Sequence, residues 1–177
     1  LRHRNNLSTN TGIPRKSKEV APDMDSMSEF KEIDGVVVKP LKQITDHRGS
    51  VLHMLRRDES LFNKFGEIYF SEVSPGAVKA WKQHKQQTQN LAVPMGNIRL
   101  VIYDDRPSSS TCGSIATYIV GRPENYCLIH IPPQLWYGVQ NLSQQPSLVA
   151  NCVDQSHDPS EAETIPLDSN QIPYQWK

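Results

Sequence analysis

The stretch Pro75-Gly76-Ala77-Val78-Lys79-Ala80-Trp81-Lys82-Gln83-His84-Lys85 holds the densest set of groups that can move a proton or hold an anion. Lys82 and His84 stand two apart in a strand-like run, and alternate residues of a strand share a face. Both side chains then enter one space, at the mouth of the fold where barrels keep ligands. An imidazole with its usual pKa near 6.5 suits abstraction of a proton from carbon beside a carbonyl. A lysine, ordinarily at about 10.4, does this only if burial lowers it toward neutrality. A third reading has Lys82 and His84 bind an anionic or hydroxylated ligand without turnover. A metal site of this outline needs a second histidine, a nearby carboxylate and a later histidine. Lys82, the amides Gln87, Gln89 and Asn90, and Trp136 occupy those places. One histidine and one lysine do not make a stable metal site, so no metal is expected.

The elements that must position these groups are short and β-like. Gly35–Val38, Ser50–Leu55, Glu67–Val73, Val78–Trp81, Asn90–Val93, Ile98–Tyr103, Ile115–Val120, Tyr126–Ile131, Gly138–Asn141 and Leu148–Val153 read as strands. Turn residues punctuate them at Ser74-Pro75-Gly76, Met95-Gly96-Asn97, Arg106-Pro107-Ser108 and Pro132-Pro133. Such regular spacing predicts an all-β sandwich or barrel. One short helix is expected over Glu59–Lys64. The Pro-rich end from His157 is expected to run extended and pack Tyr174 and Trp176 on the body. Residues 1–28 are polar and aperiodic and read as a disordered tail, leaving 29–177 as one domain. Asp104, Asp105 and Arg106 read as a strand end with a turn ion pair.

Composition narrows the classes further. Among 177 residues, 19 Lys and Arg balance 19 Asp and Glu, whereas a general nucleic-acid binder carries a basic excess. Apolar residues make up 37 %, and no run approaches the roughly 18–20 needed to span a bilayer. Cys112, Cys127 and Cys152 form no CxxC pair and read as reduced thiols. With no apolar leader core after the basic N-terminus, the expected location is cytoplasmic.

Ile33-Asp34-Gly35-Val36, Asp46-x-Arg48-Gly49, Phe65-Gly66-Glu67-Ile68-Tyr69-Phe70, Tyr103-Asp104-Asp105-Arg106, Ile131-Pro132-Pro133 and Asp158-Pro159 occur in this order. On these motifs the chain resembles the dTDP-4-dehydrorhamnose 3,5-epimerase family over roughly residues 33–176. Lys82-Gln83-His84-Lys85 is similar to the His-x-His-Lys pattern of the related dTDP-sugar 3,4-ketoisomerases. The resemblance implies a cupin-type double-stranded jelly roll and a homodimer sharing an N-terminal strand. It implies cofactor-free epimerisation or isomerisation of a 4-keto-6-deoxy nucleotide sugar. In working members a histidine takes the proton beside the 4-keto group, a tyrosine opposite returns one, and a basic residue steadies the enolate. Here Lys82 stands at the histidine position and Asn151 at the tyrosine position. The family's histidine-orienting aspartate lies in a C-terminal extension that this chain lacks.

The catalytic candidates are therefore Lys82 and His84, with Tyr137 as a substitute acid and Tyr103 beside it as a further one. Arg48, Lys85, Asn90, Trp136 and Asn151 are expected to contact the substrate, Trp136 as a wall for sugar stacking or as core. Weak or altered activity is expected. The alternative is a sugar-binding or partner-binding cupin without turnover.

Overall fold

The computed structural model describes residues 32–177, so the expected tail over 1–28 lies outside the described residues. Twelve strands account for the regular structure there: β1 (Val37–Pro40), β2 (Gln43–Asp46), β3 (Gly49–Leu52), β4 (Glu67–Val73), β5 (Val78–His84), β6 (Gln89–Met95), β7 (Asn97–Tyr103), β8 (Ile115–Gly121), β9 (Cys127–Ile131), β10 (Trp136–Asn141), β11 (Ser147–Val153) and β12 (Ala162–Thr164). One sheet runs β1-β9-β6-β11-β4, the other β12-β5-β10-β7-β8, and β2-β3 is a separate hairpin. Every strand pairing is antiparallel. The all-β sandwich expected from the strand spacing is what forms, in the jelly-roll form that the family resemblance implies.

The two sheets bury one apolar layer between them. Leu91, Val93, Ile129 and Val149 from the first meet Ile98, Leu100, Ile102 and Val139 from the second. Fully burying each such side chain contributes about 1.5–3 kcal/mol before entropy. Strand alternation sends the neighbouring residues the other way. Trp81, Val101 and Trp136 form a second cluster with Ile172, covered by Tyr174 and Trp176. The rings of Trp81 and Trp176 lie 5.1 Å apart. The chain's end therefore packs on the body, as its two aromatics suggested. At the corner between β6 and β7, Gly96 has φ 80°, and a Cβ there would lie 2.1 Å from Ser147 Oγ. Only glycine fits.

Some local expectations need correction. No helix forms over Glu59–Lys64. The segment makes isolated turns, with the Phe62 N–H donating to the Glu59 carbonyl at 3.0 Å. Six residues are too few to repay helix nucleation without a buried face. Strands β2 and β12 were not anticipated; both are short and neither shows strong apolar alternation. Strand β1 extends to Pro40, a residue that edge strands tolerate. Among the described residues no helix is long and apolar enough to cross a membrane.

Asp104 closes the end of β7. Its buried carboxylate accepts from Arg106 Nε (2.9 Å) and Nη2 (2.8 Å), Ser109 Oγ (2.6 Å) and Thr111 Oγ1 (2.7 Å). Burial opposes its ionisation, but these donors outweigh burial and hold the carboxyl well below the usual range. The structural reading of this turn pair stands. Asp104→Ala should leave Arg106 uncompensated and cost about 3 kcal/mol, read from the denaturant midpoint. A depressed folded pKa contributes stability above the unfolded value of about 3.9 and loses it as pH falls. The native–variant gap should therefore narrow below about pH 4, and a gap that widens there would contradict this role.

Candidate active site

A cavity of about 400 Å³ opens between the sheets, where β4 and β11 face β5, β10 and β12. Its walls include Tyr69, Ser71, Lys79, Trp81, Lys82, Tyr137, Asn151 and Thr164. Two lysines and no carboxylate stand among these lining residues, which suits an anionic guest. Lys82 faces Tyr137 on β10 and Thr164 on β12 across the ladder. The β5–β10 register shifts between Tyr137 and Val139, opposing an extra β5 residue to β10. This bulge lets Lys79 and Lys82, three apart, line the same cavity. Gly138 lies at the shift, where a Cβ would come within 2.3 Å of Ala80 Cβ.

His84 lies two residues beyond Lys82 and is 5 % exposed. Its ring stacks on Tyr137, with centroids 6.1 Å apart and planes 14° apart. Its Nδ1 makes a short contact with Glu161 Oε2. Glu161 precedes β12, whose Ala162 pairs with His84, so the C-terminal segment carries the carboxylate onto the ring. The other carboxylate oxygen accepts the backbone N–H groups of Gln86 (2.8 Å) and Gln87 (2.7 Å). Burial pushes Glu161 upward, but these N–H donors and His84 outweigh it and keep the carboxyl low. Burial also pushes His84 below its usual value; the Lys82 charge adds to this and Glu161 opposes it. The ring is then neutral at pH 7, with Nδ1–H donated to the carboxylate. Nε2 is left as a buried acceptor without a partner among the described residues.

The sequence names no carboxylate partner for His84; in the structure Glu161 meets its ring. It sits 77 positions from His84 in sequence, inside the polar segment, and only the β12 pairing signals it.

On the opposite wall, Asn151 pairs with Tyr69 in the β4–β11 register. Asn151 Nδ2 donates to the Tyr69 hydroxyl (2.7 Å) and to Gln89 Oε1 (2.7 Å). Its Oδ1 accepts from the Asn90 N–H at 3.1 Å. Burial raises the pKa of Tyr69 and pushes Tyr137 far above the phenol range. Tyr69 belongs to the motif Phe65–Phe70, which by itself marks no site residue; the strand register sets it beside Asn151.

Lys82, Tyr137 and Asn151 thus meet at the cavity, and His84 adjoins it. The remaining candidates lie elsewhere. Trp136 alternates away from Tyr137 into the second cluster, its Nε1 donating to Asp105 Oδ2 at 2.9 Å, so it forms no sugar wall. Tyr103 packs against that same cluster. Asn90 is buried and donates to the Cys152 carbonyl at 3.0 Å. Lys85 is exposed, 3.5 Å from Glu163 Oε1. Arg48 is exposed on the β2–β3 hairpin and paired with Asp46 at 2.7 Å. None of these five lines the cavity.

Glu161→Gln should lower the His84 pKa further, because the carboxylate favours the imidazolium. A rise in an NMR titration of the ring would contradict the pairing.

Residues 31–177 match the family model described as dTDP-4-dehydrorhamnose 3,5-epimerase. A crystal structure of a dTDP sugar isomerase from Desulfovibrio desulfuricans G20 is 50 % identical, with a TM-score of 0.80 over 81 % of this chain and 92 % of that one. The spore coat polysaccharide biosynthesis protein SpsL of Bacillus subtilis is 33 % identical over 81 % of this chain and 96 % of its own length. The probable low-salt glycan biosynthesis epimerase Agl13 of Haloferax volcanii is 36 % identical over 81 % and 94 %. With a shared model across the whole described body and relatives matched over nearly their full length, the chain belongs to the dTDP-4-dehydrorhamnose 3,5-epimerase family.

Proposed function

We propose that the protein epimerises a 4-keto-6-deoxyhexose carried on a nucleoside diphosphate, dTDP by family likeness, through cofactor-free proton transfer. The observation that carries this is the buried His84–Glu161 pair with a bare Nε2, next to Lys82 on a cavity wall. A hydrogen on carbon beside a ketone is acidic enough to be taken by a neutral imidazole whose conjugate acid is stabilised. His84 Nε2 takes that proton, and Glu161 supports the positive ring that results. Lys82 donates to the ketone oxygen and steadies the enolate as its charge develops. Positions i and i+2 of a strand are about 6.7 Å apart, a separation that a sugar ring bridges. Lys79 adds positive charge for the phosphates; its Nζ is held by Ser71 Oγ at 3.0 Å. Asn151 at the family's tyrosine place favours the second reading, a binding protein without turnover.

Solvent-deuterium exchange into dTDP-4-keto-6-deoxyglucose separates the two. Exchange is expected beside the ketone, falling about 100-fold or more in His84→Gln. The rate should rise with pH along a limb below pH 6.5 and level off above it, because the base must be neutral and burial lowers its pKa. A limb that climbs above about pH 8 would contradict His84 as the base, and no exchange at all would leave the binding reading.

The protein acts as a homodimer. Strand β4 ends its sheet, and Ile68 and Phe70 on it are 47 % and 61 % exposed. An exposed apolar outer face on a sheet's end strand is a liability for a monomer. Light scattering at micromolar concentration should give twice the chain mass, and Phe70→Asp should halve it. A native mass of one chain would refute the dimer. Its place is the cytoplasm, where the free thiols Cys112, Cys127 and Cys152 stay reduced.

A further inference from the structure

We infer that Tyr69 is the acid that returns the proton to the far face of the sugar, with Asn151 as its positioning residue. This rests on the epimerase reading above. Inverting a carbon centre requires a base on one side and a proton donor on the other. His84 and Lys82 belong to β5 in one sheet, and Tyr69 belongs to β4 in the sheet across the cavity. Tyr137 springs from the base's own sheet as the register partner of Lys82, and its ring is held against His84. Its hydroxyl is turned past the base to Gln89 Oε1 at 3.5 Å, and among the described residues it has no donor such as Asn151 to support a phenolate. Asn151 has no proton acidic enough to give.

The hydrogen bonds around Tyr69 set its polarity. Asn151 Oδ1 accepts the Asn90 N–H, which fixes the orientation of the amide. Both Nδ2 hydrogens then point outward, one to Gln89 Oε1 and one to the Tyr69 oxygen, each at 2.7 Å. Gln89 is held in turn, its Nε2 donating to Gln87 Oε1 at 2.9 Å. The Tyr69 oxygen is thus an acceptor from Asn151. The acceptor for its own hydrogen is Gln89 Oε1 at 3.5 Å, a weak bond. That hydrogen is available to a ligand in the cavity. Burial keeps the phenol protonated, so it has a proton to deliver at neutral pH.

The step balances. His84 Nε2 takes the hydrogen beside the ketone, and the C–H electron pair becomes the enolate. The enolate pair then forms a new C–H bond with the Tyr69 hydrogen on the opposite face, and the ketone is restored. Tyr69 is left as phenolate, stabilised by the Asn151 N–H, and His84 as imidazolium. Water returns a proton to the phenolate and accepts one from the imidazolium. Where the family resemblance implies a tyrosine at Asn151, the phenol comes instead from its directly paired neighbour on β4.

The test uses the full chain with dTDP-4-keto-6-deoxyglucose in deuterium oxide, reading deuterium content and configuration of each carbon by NMR. Tyr69→Phe should still exchange on the base's face, within about threefold of native, while inverted product falls about 100-fold or more. Asn151→Leu keeps the phenol but removes its support, and should slow inversion about tenfold with exchange retained. Inversion by Tyr69→Phe at the native rate would overturn the assignment. So would equal loss of exchange and inversion in a folded Tyr69→Phe. If Tyr69→Phe does not fold, the Asn151→Leu ratio of inversion to exchange decides, and an unchanged ratio overturns the proposal. Absence of exchange in the native protein defeats the epimerase reading itself, a different result from any of these.

Discussion

The pairing of Glu161 with His84 is the contact on which the site depends. A buried imidazole next to a lysine would otherwise lie under a repulsive field with neither nitrogen fixed. The carboxylate accepts Nδ1–H, selects the tautomer and leaves Nε2 bare. It also ties the C-terminal segment to the body, because its second oxygen accepts the Gln86 and Gln87 N–H groups that follow β5. The carboxylate is therefore both a strap on the fold and a partner of the His84 ring. Its donors explain how a largely buried carboxyl stays ionised.

Two sheets make the rest of the chemistry possible. A reaction that inverts carbon needs unlike groups on opposed walls, and a sandwich supplies walls roughly 10 Å apart. One wall brings lysine and histidine by strand alternation, with a bulge adding a second lysine. The other brings a phenol and two amides in register. The apolar layer of Leu91, Val139 and Val149 runs up to the same cavity, so the polar groups work against a dry floor. Low local dielectric strengthens a lysine's attraction for an anionic oxygen and also makes any unpaired polar atom costly.

Features of short range were legible in the sequence. Alternation identified the strands at Glu67–Val73 and Val78–Trp81, and the two-residue spacing of Lys82 and His84 put both on one face, although the strand itself runs on to His84. The turn chemistry around Asp104 identified a structural ion pair. Features that depend on contact between distant segments were not legible. Glu161 lies in a polar, Pro-rich run with no periodicity, and only its antiparallel pairing brings it to His84. Trp136 and Tyr137 are adjacent, and a one-residue difference in register decides which faces the cavity. Tyr69 meets Asn151 only because β4 and β11 are neighbours, a relation that spans 82 positions. The expected helix failed for want of a face to bury.

The central claim is that His84 is a neutral base with its proton on Nδ1. Long-range proton–nitrogen correlation NMR on the native protein at pH 7 reads this directly. A protonated Nδ1 and an unprotonated Nε2 are expected for that ring. A ring protonated on Nε2 alone, or on both nitrogens, would contradict the account.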